Sequence, residues 1–243
     1  MRSKTLRTLG AIAAVTGLLS FGAAHAQEKT VTFAHQDMLV PLRLVMESGE
    51  VEKATGYKIN WRMFSGGGDV IRAMASGDVQ MGEVGSSPLT AAASQGQDIK
   101  AFWVSADIAD AEALVARNGS GVNSLKDLKG KRVGYVRATT SHYYLSKQLA
   151  EAGLSFNDIQ AINLSPADGL SAFDRGDLDA WAIYGYNGQL ARLRYGARVL
   201  KTGLGYLSGN FPIYANPRAV DDPLRHAAIS DYLQRLQIGR AHV

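Results

Sequence analysis

Two stretches set 99 residues apart constrain the fold most. RAMASGDVQMG (72–82) and SAFDRGDLDAW (171–181) each run from the end of a helical pattern through a Gly-Asp turn into a strand pattern, with the turns at Gly77-Asp78 and Gly176-Asp177. Solenoid repeats recur every ~20–50 residues, so this spacing is too long for one. It fits two similar α/β lobes, each holding the unit once; helix-Gly-Asp-strand is also a common turn in its own right.

The rest of the chain alternates in the same way. VTFA (31–34), KINWRMF (58–64), VQMGEVG (79–85), IKAFWV (99–104) and EALVAR (112–117) read as strands, as do KRVGYV (131–136), IQAINL (159–164), DAWAIY (179–184), ARVLKT (197–202) and FPIYAN (211–216). Helical patterns fall between them at 42–56, 69–77, 88–96, 141–154 and 167–176. The first ends at Gly56, the second at Gly77, and the third carries Pro88 in its first turn. Strands and helices alternating at these lengths predict an α/β fold with mainly parallel sheets. The polar segment RNGSGVNS (117–124) precedes SLKDLKGKRVGYV, which marks the start of the second lobe.

The ends differ from the middle. Residues 1–26 hold Arg2, Lys4 and Arg7 but no acid, then the apolar run AIAAVTGLLSFGAA and the small-x-small pattern Ala24-His25-Ala26. That pattern is expected to be a cleaved secretory signal peptide. Without its three positive charges the formal charge of +4 becomes +1, which argues against a basic surface for nucleic acid. The chain has no cysteine, which excludes disulfides and thiolate metal sites; Gln27, not a lipid-bearing cysteine, would follow the cleavage site. The final IGRAHV (238–243) matches one reading frame of a common sequencing adapter and is expected to be an artefact on a product cut short at its C-terminus.

Three stretches carry candidate chemistry. ATTSHYYL (138–145) follows a strand pattern and opens a helix, so Thr139, Thr140 and Ser141 add hydroxyls to the unpaired N–H groups of a helix N-terminus. This is either a cap or an anion cradle. VGSSPL (84–89) repeats the logic with Gly85, Ser86 and Ser87, and the two could face each other beyond the carboxyl ends of their strands. FSGGGDVI (64–71) lacks the Lys-Ser/Thr of a phosphate-binding loop and the dinucleotide spacing; it is part of a cleft wall or a plain turn. Trp181, Tyr184, Tyr186 and Phe211 either pack an organic ligand or fill the core. Ser141 and His142 are helix neighbours and point apart, no G-x-S-x-G elbow exists, and His35, His142 and His226 lack metal-ligand spacing. These absences argue against hydrolase chemistry, and no cofactor or metal is expected.

These residues resemble the periplasmic sulfonate-binding proteins of ABC importers, the taurine and alkanesulfonate group. INWRMFSGGGDVIRAMASGDVQMGEVGSSPLTAAASQ is similar to the taurine type. GKRVGYVRATTSHYYL, SPADGLSAFDRGDLDAWAIY and SGNFPIYANP are closer to the alkanesulfonate type. The resemblance covers nearly all of 30–236 and implies a two-lobed type II periplasmic binding protein fold. Lobe one would span 27–115 with 206–237 returning to it, and lobe two 116–205. It also implies a monomer that is not an enzyme. Such a receptor captures a small sulfonate in the periplasm and hands it to an importer permease and its ATPase. Ser86 and Ser87 would meet the sulfonate from one lobe, and Thr139, Thr140 and Ser141, with His142 close by, from the other. Gln36, after the first strand, resembles a family cleft position, Trp181 would line the organic end, and Asn210 and Phe211 stand where the taurine type is expected to offer an acid. Asp37 or Glu83 could take that acid's place. A nitrate-like solute, an aromatic sulfonate, or enzyme chemistry on a thiamine-precursor pyrimidine are the other readings the resemblance leaves open.

Overall fold

The computed structural model describes residues 29–38 and 42–217, together with residues 221, 226, 230 and 234. The stretches singled out above at 1–26 and 238–243 lie outside the described residues.

Two five-stranded sheets form. The first is built from β1 (Thr30–Gln36), β2 (Lys58–Phe64), β3 (Met81–Glu83) and β4 (Lys100–Asp107), with helices α1 (Leu42–Ser48), α2 (Glu50–Thr55), α3 (Gly67–Ala75) and α4 (Ser86–Ser94) between them. The second comprises β5 (Ala113–Ala116), β6 (Arg132–Tyr135), β7 (Gln160–Asn163), β8 (Ala180–Ile183) and β9 (Arg198–Thr202), with α5 (Thr140–Glu151), α6 (Pro166–Arg175) and α7 (Gly185–Tyr195). The last strand, β10 (Asn210–Ala215), returns to the first sheet.

The strand orders are β2-β1-β3-β10-β4 and β7-β6-β8-β5-β9, the same pattern twice. The fourth strand of each sheet arrives from the other lobe. The two crossing segments run side by side: Ile108 N donates to Gly209 O at 2.8 Å and Gly203 N to Glu112 O at 2.7 Å. The Gly-Asp echo is therefore structural. Gly77 and Gly176 both take positive φ, and β3 and β8 follow at the 99-residue shift.

Several expectations need correction. The sheets are mixed rather than mainly parallel: β1 pairs parallel with β2 and β3, and β6 with β7 and β8, but β10 and β5 are antiparallel to both their neighbours. The incoming crossover strand must run against the others. The helix expected over 42–56 is two helices, parted at Gly49 with φ 60°. A lobe boundary at 115 would cut β5, which pairs wholly within the second sheet with β8 and β9. Helix α7 was not expected, yet it stands 99 residues after α4.

Burial explains the strand chemistry. β5 (ALVA) and β8 (AWAI) are buried throughout, as interior strands covered on both faces must be, whereas the edge strand β2 has only exposed and half-buried positions. Trp181 is fully buried between β6 and α6. A Cβ at Gly134 or Gly169 would lie 2.9 Å or 2.6 Å from its ring, so glycine is required on both sides of the indole. Met38, Ile108 and Phe211 pack into the same cluster as Trp181, Ile183 and Tyr184, which ties the first lobe and the crossing segments to the second.

Candidate functional site

Four helices begin where the lobes meet: α3 at Gly66, α4 at Gly85, α5 at Thr139 and α7 at Tyr184. None of these four N-caps has a side-chain cap hydrogen bond. The first N–H groups of a helix lack intrahelical partners and carry partial positive charge. The starts lie close across the cleft. A Cβ at Gly85 would come within 2.6 Å of Thr140 Cγ2, one at Gly66 within 2.9 Å of Thr139 Cγ2, and one at Gly68 within 2.7 Å of Ala138 Cβ. The glycines of FSGGGDVI are thus needed for close approach of the lobes, and this loop is a cleft wall. Gly66 is extended at φ −170°, so left-handed geometry is not its reason. Ala138 takes the left-handed φ of 56° instead, a costly conformation for a residue with a Cβ, at the turn from β6 into α5.

The lobes enclose a small cavity of about 10 Å³, enough for about one water. Gly67, Gly85, Thr139 and Thr140 bring the helix starts to it. Gln36, Glu112, Tyr184 and Phe211 add side chains, and Met38, Ile108 and Pro88 complete the wall. Tyr184 reaches across from the second lobe, its hydroxyl donating to Ser65 O at 3.0 Å. Among these lining residues there is no Lys or Arg, and Glu112 is the one carboxyl.

Glu112 is fully buried beside the crossing segment. Oε1 accepts from Thr140 Oγ1 at 2.5 Å, and Oε2 has no partner among the described residues. Burial, opposed only by the Thr140 hydrogen bond, pushes its carboxyl up to about 8. When protonated, Glu112 can donate to Thr140 and free the Thr140 hydroxyl hydrogen for a ligand; when ionised, it accepts that hydrogen.

The expected site residues divide. Gln36, Thr139, Thr140 and Phe211 line the cavity. Gln36 Nε2 makes one long hydrogen bond, 3.4 Å, to Glu83 O. Thr139 Oγ1 donates to Val136 O at 2.7 Å and lies 2.8 Å from Ser141 Oγ, which accepts from Val136 N at 3.3 Å. Ser141 therefore locks the turn from strand to helix and stays out of the cavity. Neither Thr139 nor Ser141 caps α5. Ser87 and His142 face a separate, larger groove between α4 and α5. His142 also packs between Tyr135 and Phe156, at 5.1 Å and 5.2 Å, and burial followed by the nearby Arg137 lowers its pKa. Ser86 is half-buried at the first position of α4 and lines neither space. Trp181 lies in the core, and Asn210 is exposed at the start of β10 opposite Asp107.

The acids named from sequence sit elsewhere. Asp37 pairs with Arg43 at 3.3 Å on a half-exposed surface. Glu83 is buried in β3 outside the cavity, and burial, tempered by Arg43, pushes it up to about 8. Glu112 was missed, whereas Tyr184, expected either to pack an organic ligand or to fill the core, lines the cavity. The signal for Glu112 was a charged residue opening the apolar strand pattern EALVAR. For α7 it was the 99-residue shift itself, which carries VGSSPL onto IYGYNG.

The comparisons decide the family. The NMT1/THI5 like family matches residues 46–211. The chain belongs to that family. A taurine-binding periplasmic protein of Escherichia coli is 36% identical over 166 residues, 68% of this chain and 51% of that protein. The chain thus spans about half the length of that relative. The alkanesulfonate-binding protein of Xanthomonas axonopodis pv. citri, solved bound to MOPS, superposes with a TM-score of 0.77 at 28% identity, over 87% of this chain and 73% of that one. The periplasmic aliphatic sulphonate binding protein of Escherichia coli gives 0.70 at 30% identity, over 88% and 73%. The two sheets and the paired crossings are those of the two-lobed type II periplasmic binding protein fold.

Proposed function

We propose that this NMT1/THI5 like family member is a periplasmic receptor that captures a small sulfonate between its lobes and delivers it to an ABC importer's permease and ATPase, acting as a monomer. One observation carries the reading: uncapped helix starts from both lobes converge on one cavity that holds no cationic side chain. A sulfonate is a permanent anion with three acceptor oxygens, and bare N–H groups at helix starts match it without a lysine. Capture needs no covalent step. The cavity has room for about one water, so the bound headgroup sits with the lobes slightly farther apart, within the reach of hinge motion at the two crossing segments.

Glu112 sets the finer choice. An ionised carboxyl beside the anion favours a ligand that brings its own ammonium, as taurine does. A protonated Glu112 accepts a plain alkanesulfonate. Because burial holds the carboxyl up to about 8, both states are reachable near neutral pH. Calorimetric titration with taurine, ethanesulfonate and sulfate tests the reading. Binding of either sulfonate, with sulfate much weaker, supports it. A folded protein that gives no heat with any of the three rejects it.

A further inference from the structure

Two openings flank the contact between the lobes. One is the groove between α4 and α5, of about 520 Å³. The other is a notch of about 210 Å³ between the start of α3 and the turn from β6 into α5. Gly68, Arg72 and Ala138 line both, so the openings meet at one lip, where a Cβ on Gly68 would come within 2.7 Å of Ala138 Cβ. The inner cavity has no cation in its lining, but the lip has two. Arg72 of the first lobe, its side chain 71% exposed, pairs with Asp69 one turn earlier. Arg137 of the second lobe stands directly before Ala138. Its backbone N donates to Asn163 Oδ1 at 2.8 Å, while its guanidinium has no hydrogen bond or ion pair among the described residues. Asp69 is the one acid lining either opening. Gln95, Gln97 and His142 add polarity to the groove without charge, since burial, followed by Arg137, lowers the pKa of His142.

We propose that Arg137, together with Arg72, makes this lip a charge filter on entry, which speeds sulfonates of net negative charge and leaves zwitterionic ones such as taurine to arrive by diffusion alone. The inference rests on the sulfonate-receptor reading and adds a kinetic preference to it. A cleft mouth of one sign raises the local concentration of the opposite charge and so the association rate. At a distance the field acts on net charge. Ethanesulfonate carries one negative charge, whereas taurine cancels its sulfonate with its own ammonium. Asp69 offsets Arg72, and Arg137 is the charge left over. Exposed cations in water hold an anion weakly once it arrives, so the lip hastens entry without slowing release. Retention stays with the helix starts farther in.

The test measures association and dissociation rates by stopped flow on tryptophan fluorescence, with ligand NMR exchange as a second readout, for ethanesulfonate and taurine. The proteins are the unmodified chain, Arg137→Gln, Asp69→Asn and the double variant Arg72→Gln/Arg137→Gln. At about 10 mM salt, where screening is weak, Arg137→Gln should slow ethanesulfonate association about two- to threefold. Asp69→Asn should speed it by a similar factor, and the double variant should slow it by up to about tenfold. Dissociation should hold level, taurine should associate alike with all four proteins, and about 1 M salt should erase the differences. A general disturbance of the lip would not move the rate in opposite directions for the two single variants. Association rates that stay level or move together in Arg137→Gln and Asp69→Asn overturn the inference. So does a change confined to dissociation, or a taurine rate that shifts as much as that of ethanesulfonate. These outcomes leave the receptor reading intact. Failure of both ligands to bind the unmodified protein instead removes that reading, and the inference with it.

Discussion

Gly66 and Ser165 hold equivalent places in the two lobes, 99 residues apart, and each is an N-cap, of α3 and of α6. Ser165 closes its helix from within. Its Oγ accepts from Asp168 N at 3.2 Å and donates to the Asp168 carboxylate at 2.6 Å, and Pro166 follows where no N–H is needed. Gly66 has no side chain to offer, and its helix starts bare against Thr139 of the other lobe. The next pair repeats the contrast. Gly85 leaves room for Thr140, while Tyr184 at the matching place sends a phenol across to Ser65. One supersecondary unit, used twice, is left open in the first lobe, and in the second it is capped from within or reaches across the cleft. The site arises from that difference, not from the shared architecture.

Breaking the charge at the centre of this arrangement has the largest effect. In the proposed receptor, Glu112→Gln removes the carboxylate partner of taurine's ammonium. Losing one member of a buried ion pair costs about 3–5 kcal/mol, which predicts a fall in taurine affinity of more than about 100-fold. Ethanesulfonate should bind the variant at least as well as the parent. Its affinity for the parent should fall as pH rises through about 8, where Glu112 ionises beside the anion, and should stay level in the variant. Titration at several pH values checks both; equal taurine affinity in the two proteins removes Glu112 from the site.

The same carboxyl leaves a mark on stability. In the unfolded chain it ionises near its ordinary value of 4.5, while the folded chain keeps it protonated up to about 8. The raised value means that its contribution is full below about 4.5 and is lost as pH climbs to about 8. Glu83 acts in the same direction. Urea unfolding of the parent should therefore show stability falling across this window, by on the order of a few kcal/mol, and Glu112→Gln should make the fall shallower. A parent whose stability is level across the window contradicts the assignment.

The contact between bare and reaching surfaces comes next. In Gly85→Ala the new Cβ meets Thr140 Cγ2 at 2.6 Å, while Gly85's own φ of −65° suits alanine. The strain therefore falls on closure rather than on either lobe. Overpacking costs about 1–3 kcal/mol, or about 5- to 150-fold in sulfonate affinity, with the melting temperature little changed. Tyr184→Phe removes the hydrogen bond to Ser65 O. It should weaken binding by about 2- to 12-fold, the equivalent of about 0.5–1.5 kcal/mol. A thermal melt beside each titration separates closure from folding, and a large drop in melting temperature with affinity kept would reverse the assignment for either residue.

Much of this was legible in sequence because it depends on local pattern. The strand and helix alternation, the Gly77 and Gly176 turns and the two-lobe plan follow from periodicity and from glycine's freedom at positive φ. What stayed hidden depends on partners far along the chain. Nothing within ATTSHYYL says that Thr139 and Ser141 turn inward to Val136 while Thr140 turns to Glu112, because Glu112 lies 28 residues earlier. Trp181 read as a ligand wall, but the glycines that make its core slot, Gly134 and Gly169, come from other elements. Strand direction was misjudged for a related reason: β5 and β10 cross between lobes, and a crossing strand carries no mark of its orientation.

The smallest effect sharpens the contrast most. Ser165→Ala strips the internal cap from α6 and leaves its first turn as bare as that of α3. Loss of a serine cap costs about 1 kcal/mol, a fall of about 2–4 °C in melting temperature for a chain of this size. Sulfonate affinity should not change, because Ser165 lines neither the inner cavity nor the groove. The reason is position rather than chemistry: a bare helix start matters to an anion only where other starts meet it. A Ser165→Ala protein that melts lower yet binds as the parent does supports that view. One that gains affinity, with α6's freed N–H groups joining the anion, would move the site toward the second lobe and undo the division between the closed copy and the open one.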